Sequence, residues 1–343
     1  MGSLNIKIIY RFLGLTAVLN GIFMFIAIPF SMYHKEEAQM GILNAGIITV
    51  FLGLLLYFFN KPTTTNIHKK EGYLIVTLGW LTLSFTGMLP YLFTGAIPNI
   101  TDAFFETLSG YSTTGSSILT DIESMPKGIL FWRSATHWIG GMGIIVLTIA
   151  ILPLLGIGGG QLFKTEIPGA LNDQKLTPRI KETAQALWLI YLTLTIACAA
   201  LYYLAGMSAF DAISHSLSTV SIGGFSTHDE SIGFFNSLSI ELICIVFMLL
   251  SAFSYALHYF AIYKRKPLKY FQDAELRFFV SILLLIFILS IIFCYLLGFN
   301  GASIRQILFQ SVSIVTTTGF VSTDYSSWPT VITFLFLVGA FIG

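Results

Sequence analysis

Long apolar runs separated by short polar stretches dominate the chain. Runs at 8–30, 41–59, 72–94, 129–155, 183–205, 234–263, 276–297 and from 328 onward are of the length that crosses a bilayer as helix, about 20 residues. They predict eight spanning segments, the last cut short at the end of the chain. Three shorter runs follow a different pattern: "DAFFETLSGYSTTGSSIL" from Asp102, "DAISHSLSTVSIGGFSTH" from Asp211 and "RQILFQSVSIVTTTGFVS" from Arg305. Aligned on Gly115, Gly224 and Gly319, each reads as about ten residues of mostly apolar helical pattern, a Ser/Thr-rich stretch, then the glycine. Each sits between two of the predicted spans.

A run this short cannot cross and must return to the side it entered from, so each unit reads as spanning helix, half-helix, extended loop, spanning helix. Irregular backbone at membrane depth survives only where protein buries it or a watery cavity borders it. The three loops therefore face one aqueous axis, and all three units run in the same direction. A single glycine among threonines is a helix break or a packing contact. Three at matching positions call for a common task. Glycine reaches backbone conformations closed to most residues, and rings of backbone carbonyls can replace the water shell of a dehydrated cation. The half-helices would point their partly negative carboxyl ends at the pore centre, which favours cations. The predicted fold class is an all-α polytopic membrane protein with same-orientation, pseudo-symmetric helix/pore-loop/helix units around one pore.

Composition agrees with this class: 55% of residues are hydrophobic and 10% charged, outside the range of soluble domains. A net charge of +1 gives no reason to expect a nucleic-acid partner. Fourteen of the 18 Lys and Arg residues lie at the N-terminus or after even-numbered segments, which predicts those parts to be cytoplasmic. Lys35, Lys127, Arg133 and Arg305 are the exceptions. Eleven of the 17 acids, Glu106, Asp211 and Glu241 among them, fall on the outward side or its re-entrant segments, an arrangement that would concentrate cations at the mouth. Lys7 and Arg11 ahead of the apolar stretch at 12–30 suit a retained helix, since no small-residue cleavage site follows.

Other candidate chemistry reads as structural. Cys198, Cys244 and Cys294 lie in apolar runs without metal-ligand spacing. "GIGGGQL" at 156–162 lacks the Gly-Lys-Ser/Thr ending of a phosphate loop. Gly140, Gly141 and Gly143 suggest close packing against the first loop. His137 and His258 are expected to be structural, and His215 holds the repeat position of Glu106 and Gln310, from which a polar side chain would hydrogen-bond behind the loop. No nucleophile, base and oxyanion constellation is present, so neither enzymatic activity nor a cofactor in this chain is expected.

The stretches "TDAFFETLSGYSTTG", "HWIGGMGIIVLTIAILPLLGIGGGQL", "FDAISHSLSTVSIGGFSTHDESIG" and "VTTTGFVSTD" resemble the TrkH family, the membrane subunits of bacterial Trk-type potassium uptake systems in the Trk/Ktr/HKT superfamily. The resemblance implies covalently joined pore repeats around a potassium pathway, each loop keeping one key glycine. It assigns the filter to Thr113, Thr114, Gly115 and Ser116; to Ile222, Gly223, Gly224 and Phe225; and to Thr317, Thr318, Gly319 and Phe320. The implied organisation is an N-terminal transmembrane hairpin at 1–71, a first pore repeat with a cytoplasmic linker at 72–182, a second at 183–273 and a third at 274–343. The family would continue into a Gly/Ser-rich gating loop and a fourth repeat, so the chain is expected to be truncated in the last helix of its third. Potassium would be the substrate, the bacterial inner membrane the location, and the assembly a homodimer gated by a cytoplasmic TrkA-type ring that binds NAD and ATP. Basic stretches at 164–181 and 264–277 would offer that ring docking surfaces. The rival readings are an ion-coupled secondary transporter with alternating access, whose repeats are often inverted, and a non-conducting regulatory fragment.

Overall fold

A computed structural model describes residues 4–62, 69–141, 143 and 180–342. The stretch at 156–162, most of the basic stretch at 164–181 and the second half of the predicted fourth span lie outside the described residues. Among the described residues the regular structure is entirely helical. The chain divides into two compact units, Met1–Ser112 with Ser116–Leu189, and Thr113–Gly115 with Ile190–Gly343.

The first unit contains α1 (Ile6–Tyr33), α2 (Ala38–Phe59), α3 (Lys69–Gly87), α4 (Leu89–Thr94), α5 (Ile100–Tyr111) and α6 (Lys127–Gly141). Helices α1 and α2 form a close hairpin because glycines meet across it. A side chain on Gly14 would come within 2.6 Å of the Gly53 carbonyl, and one on Gly53 within 2.7 Å of the Gly14 carbonyl. Polar groups in this apolar setting are paired. Buried Asn20 of α1 donates to Thr86 Oγ1 at 2.7 Å and accepts from the Tyr111 hydroxyl at the end of α5. Glu36, in the α1–α2 turn, accepts from the backbone N–H groups of Lys127 and Gly128 at 2.6 and 3.2 Å, an anion placed at the amino end of α6.

The second unit contains most of α7 (Ile180–Leu204), then α8 (Ala209–Val220), α9 (Leu238–Ala252), α10 (Tyr255–Ile262), a four-residue turn α11 (Lys269–Gln272), α12 (Ala274–Leu296), α13 (Ile304–Val315) and α14 (Thr330–Ile342). Helix α13 packs on α9, α12 and α14.

Five described helices are long and apolar enough to cross a membrane: α1, α2, the α3–α4 stretch, α7 and α12. The expected sixth span at 234–263 is not one straight helix. It starts late, at Leu238, after a 3-10 turn at Ser231–Phe235, and α9 and α10 meet at an angle of 94°. The physical cause is visible at the break. Ending α9 strips the Leu250 carbonyl of its helical partner, and His258 Nε2 donates to it at 2.7 Å while Nδ1 accepts from the Tyr270 hydroxyl at 2.6 Å. Periodicity cannot register such a bend, because both halves remain apolar. The run expected to be the final span is the apolar helix α14, which at 13 residues among those described is too short to count with those five.

Candidate functional site

The three half-helices α5, α8 and α13 are each 12 residues long. Each begins at a side-chain cap: Asn99 accepts from Thr101 N at 2.8 Å, Ser208 from Asp211 N at 3.1 Å, and Ser303 forms a reciprocal capping box with Gln306. Each ends four residues before its glycine, at Tyr111, Val220 and Val315. Equal lengths between a fixed start and a fixed stop deliver the three loops in equivalent conformation.

Thr113, Ile222 and Thr317 have φ of 53°, 58° and 60°, and Gly115, Gly224 and Gly319 have φ of 75°, 80° and 83°. The residues between them, Thr114, Gly223 and Thr318, do not share the left-handed region. Alternating the sign of φ turns consecutive carbonyls toward one side of the chain, whereas a strand points them alternately. The left-handed conformation costs a residue with a side chain about 1–2 kcal/mol, so the surrounding bonds must enforce it at Thr113, Ile222 and Thr317. In the second and third loops the Gly223 and Thr318 N–H groups donate to the Ser218 and Ser313 carbonyls at 2.9 and 2.8 Å. Ser313 Oγ holds the Phe320 carbonyl at 2.7 Å.

The loops are ordered around an arc. The bare face of Gly115 lies against the Gly223 carbonyl, and that of Gly224 against the Thr318 carbonyl, each too close to admit a Cβ. Among the described residues nothing lies within 4 Å of a Cβ placed on Gly319. Of the twelve filter residues expected from sequence, Gly223 and Thr318 are buried, Thr114, Thr317 and Gly319 are exposed, and Thr113, Gly115, Ile222 and Gly224 lie between. Ser116 is exposed, while the matching Phe225 and Phe320 are each 1% exposed and act as apolar anchors of their loops.

The position nine residues before each glycine braces the chain just beyond it. Glu106 accepts from Ser117 Oγ at 2.9 Å and Ile118 N at 3.0 Å. His215 Nδ1 donates to the Asp211 carbonyl at 2.9 Å, leaving Nε2 to accept from Ser226 Oγ at 2.9 Å. Gln310 Oε1 accepts from Ser322 N at 3.2 Å. The geometry thus bears out the expected bonding behind the loops. Of the three glycines expected to pack closely here, Gly140 of α6 lies against the Tyr111 carbonyl with no room for a side chain, while Gly141 is exposed.

The expected acidic mouth needs correction. Glu106 and Glu241 are buried in ion pairs, with Arg133 Nε at 2.6 Å and with Arg305 in a bidentate contact at 2.6 and 2.7 Å. Burial and pairing remove both carboxylates from any field at the surface. The same pairs explain two of the four cations that break the positive-inside pattern, which was the sequence signal for them. Asp211 is also engaged: burial raises its pKa, but hydrogen bonds from His228, Ser208 and Thr227 outweigh burial and hold it well below the usual carboxylate range. What remains exposed includes Asp229, Glu230 and Asp324, which border a cavity of about 730 Å³ in the second unit together with Ser231, Gly233 and Ser322. Among the described residues no group of three or more His, Cys, Asp or Glu could hold a metal ion.

The family description TrkH, a cation transport protein, matches residues 38–343. The chain belongs to the TrkH family. It is similar to the Trk system potassium uptake protein TrkH of Halomonas elongata, 46% identical over 343 residues, covering 99% of this chain and 71% of that protein. The Escherichia coli K12 proteins named Trk system potassium uptake protein TrkH and TrkG are 42% and 37% identical, covering 99% and 100% of this chain and 71% of each relative. The crystal structure of the potassium transporter TrkH from Vibrio parahaemolyticus superposes with a TM-score of 0.85 at 40% identity, covering 98% of this chain and 70% of that one. TrkH membership makes this a multi-pass membrane protein whose fold is that of a cation transporter.

Proposed function

We propose that this chain translocates potassium ions across the bacterial cytoplasmic membrane as the membrane subunit of a Trk-type uptake system, with potassium as substrate and no cofactor of its own. The observation that carries the reading is the arc of three loops in one conformation, each of the first two glycines packed against a carbonyl of the next loop. Carbonyls from Thr113–Ser116, Ile222–Phe225 and Thr317–Phe320 replace part of the hydration shell of an ion on the axis of that arc. The carboxyl ends of α8 and α13 add partial negative charge there, which disfavours anions. The relatives' membership of Trk systems supports a role beside a cytoplasmic regulatory subunit, a TrkA-type NAD- and ATP-binding ring acting on a homodimer whose N-termini are cytoplasmic. Exposed Lys264, Arg265 and Lys266 offer that subunit a basic docking surface.

The test is reconstitution of the complete protein in liposomes with potassium and sodium flux measured separately. Potassium flux should exceed sodium flux, and Gly224→Asp should abolish the difference. Unchanged flux and selectivity in that variant would defeat the filter assignment, and chloride permeation without cation flux would defeat the whole reading. Potassium current that reverses at the potassium equilibrium potential whatever the pH and sodium concentration would exclude ion-coupled transport.

A further inference from the structure

We propose that Glu106, clamped by Arg133, is a positioning residue that sets cation selectivity at the first loop; the inference rests on the filter reading above. Glu106, His215 and Gln310 are each fully buried and brace the backbone or side chain two to three residues beyond their glycines, but with unequal strength. Gln310 offers one bond of 3.2 Å, and its Nε2 is buried without a hydrogen-bond partner. His215 offers a neutral imidazole. Glu106 offers a carboxylate that takes two bonds from the loop while Arg133 Nε fixes it at 2.6 Å. Hydrogen bonds to an ionised group are roughly twice as strong as neutral ones.

The reason for the difference lies one residue past each glycine. The second and third loops carry phenylalanines there, Phe225 and Phe320, each 1% exposed, so packing holds the outer end of the loop. The first loop carries Ser116, and Ser116, Ser117 and Ile118 are all exposed. With no apolar anchor, its outer end is held from beneath by the buried carboxylate. The carbonyls of Thr113–Gly115 therefore keep their spacing only while that carboxylate keeps its orientation. Potassium and sodium differ in radius by a fraction of an ångström, so a loop free to close around the smaller ion loses discrimination before it loses conduction.

The experiment uses the complete protein in liposomes and reads the ratio of potassium to sodium flux, with the unfolding midpoint in detergent as a check on folding. Removing both charges together avoids stranding either one in the interior. Glu106→Ala with Arg133→Met should lower the ratio about tenfold with total cation flux retained, the loss of one to two charge-assisted bonds. Glu106→Gln with Arg133→Met keeps an acceptor of the kind Gln310 uses and should recover most of the ratio. Ser117→Ala, at an exposed position that cannot endanger folding, should lower it about twofold, the loss of one weaker bond. An unchanged ratio in a folded Glu106→Ala/Arg133→Met protein, or in Ser117→Ala if the double variant does not fold, would overturn the proposal. Equal ratios in the alanine and glutamine double variants would do so as well. Gly115→Ala separates this failure from that of the filter itself: if its ratio is also unchanged, the filter reading falls, and if it collapses while the brace variants do not, only the brace falls.

Discussion

The second and third loops carry the same backbone, with φ of 58° and 80° at Ile222 and Gly224 against 60° and 83° at Thr317 and Gly319, yet their glycines stand in opposite surroundings. Gly224 is closed in by the Thr318 carbonyl and by the backbone of Gly319, while among the described residues nothing lies within 4 Å of a side chain placed on Gly319. The support behind them differs too, a network of Asp211, His215, Ser226, Thr227 and His228 in one, and in the other the Gln310 acceptor with separate bonds at the Ser313 and Ser231 hydroxyls. The same local conformation can thus be required for two reasons. At Gly319 glycine is needed for its left-handed φ alone; at Gly224 it is needed also because another chain segment occupies the space a side chain would take.

Alanine substitution separates these reasons and gives the largest expected effect. Gly224→Ala combines backbone strain with a collision against main chain and should cost about 3–5 kcal/mol of stability in denaturant unfolding of the detergent-solubilised protein. Gly319→Ala should cost only the strain, about 1–2 kcal/mol. Equal losses would mean that a further element of the working assembly lies against Gly319 and would break the comparison.

Removing the braces sharpens it. His215→Ala deletes a fully buried ring and its bonds to the Asp211 carbonyl and Ser226, and should cost about 2–3 kcal/mol. Gln310→Ala deletes one long bond together with a buried donor that has no partner, and should cost about 1 kcal/mol or less in the same assay.

The smallest effect is one of pH. Asp211 has a lowered pKa in the fold, so its contribution is fully present above the carboxylate's unfolded value, about 3.9, and is lost as pH falls through the lower folded value. Below about pH 4 the parent protein should therefore lose the Asp211 contribution while Asp211→Asn, which never had it, shows no such loss in the same unfolding assay. The third loop has Gln310 and no acid in the corresponding network, so the same scan on Gln310→Ala should show the parent's slope.

Much of this was legible without coordinates, for identifiable reasons. The apolar runs registered because a helix in lipid has to be apolar along its whole length. The three half-helices registered because each repeats about ten residues of apolar helical pattern, a Ser/Thr-rich stretch and a glycine at one spacing. The matching positions of Glu106, His215 and Gln310 registered for the same reason, although their chemistry differs. The break at 253–254 did not, because the group that satisfies the freed Leu250 carbonyl is a histidine side chain eight residues on. Nor did the Arg133–Glu106 and Arg305–Glu241 pairs, whose partners are 27 and 64 residues apart.

The sequence by itself determined the three half-helices and the glycine that closes each loop, since these follow from helix length and backbone sterics, both local properties. Only the tertiary structure decided which glycine is hemmed in by a neighbouring carbonyl, which carboxylates are spent on arginines and which remain at the surface. Those outcomes depend on distances between segments far apart along the chain, and no local pattern encodes them.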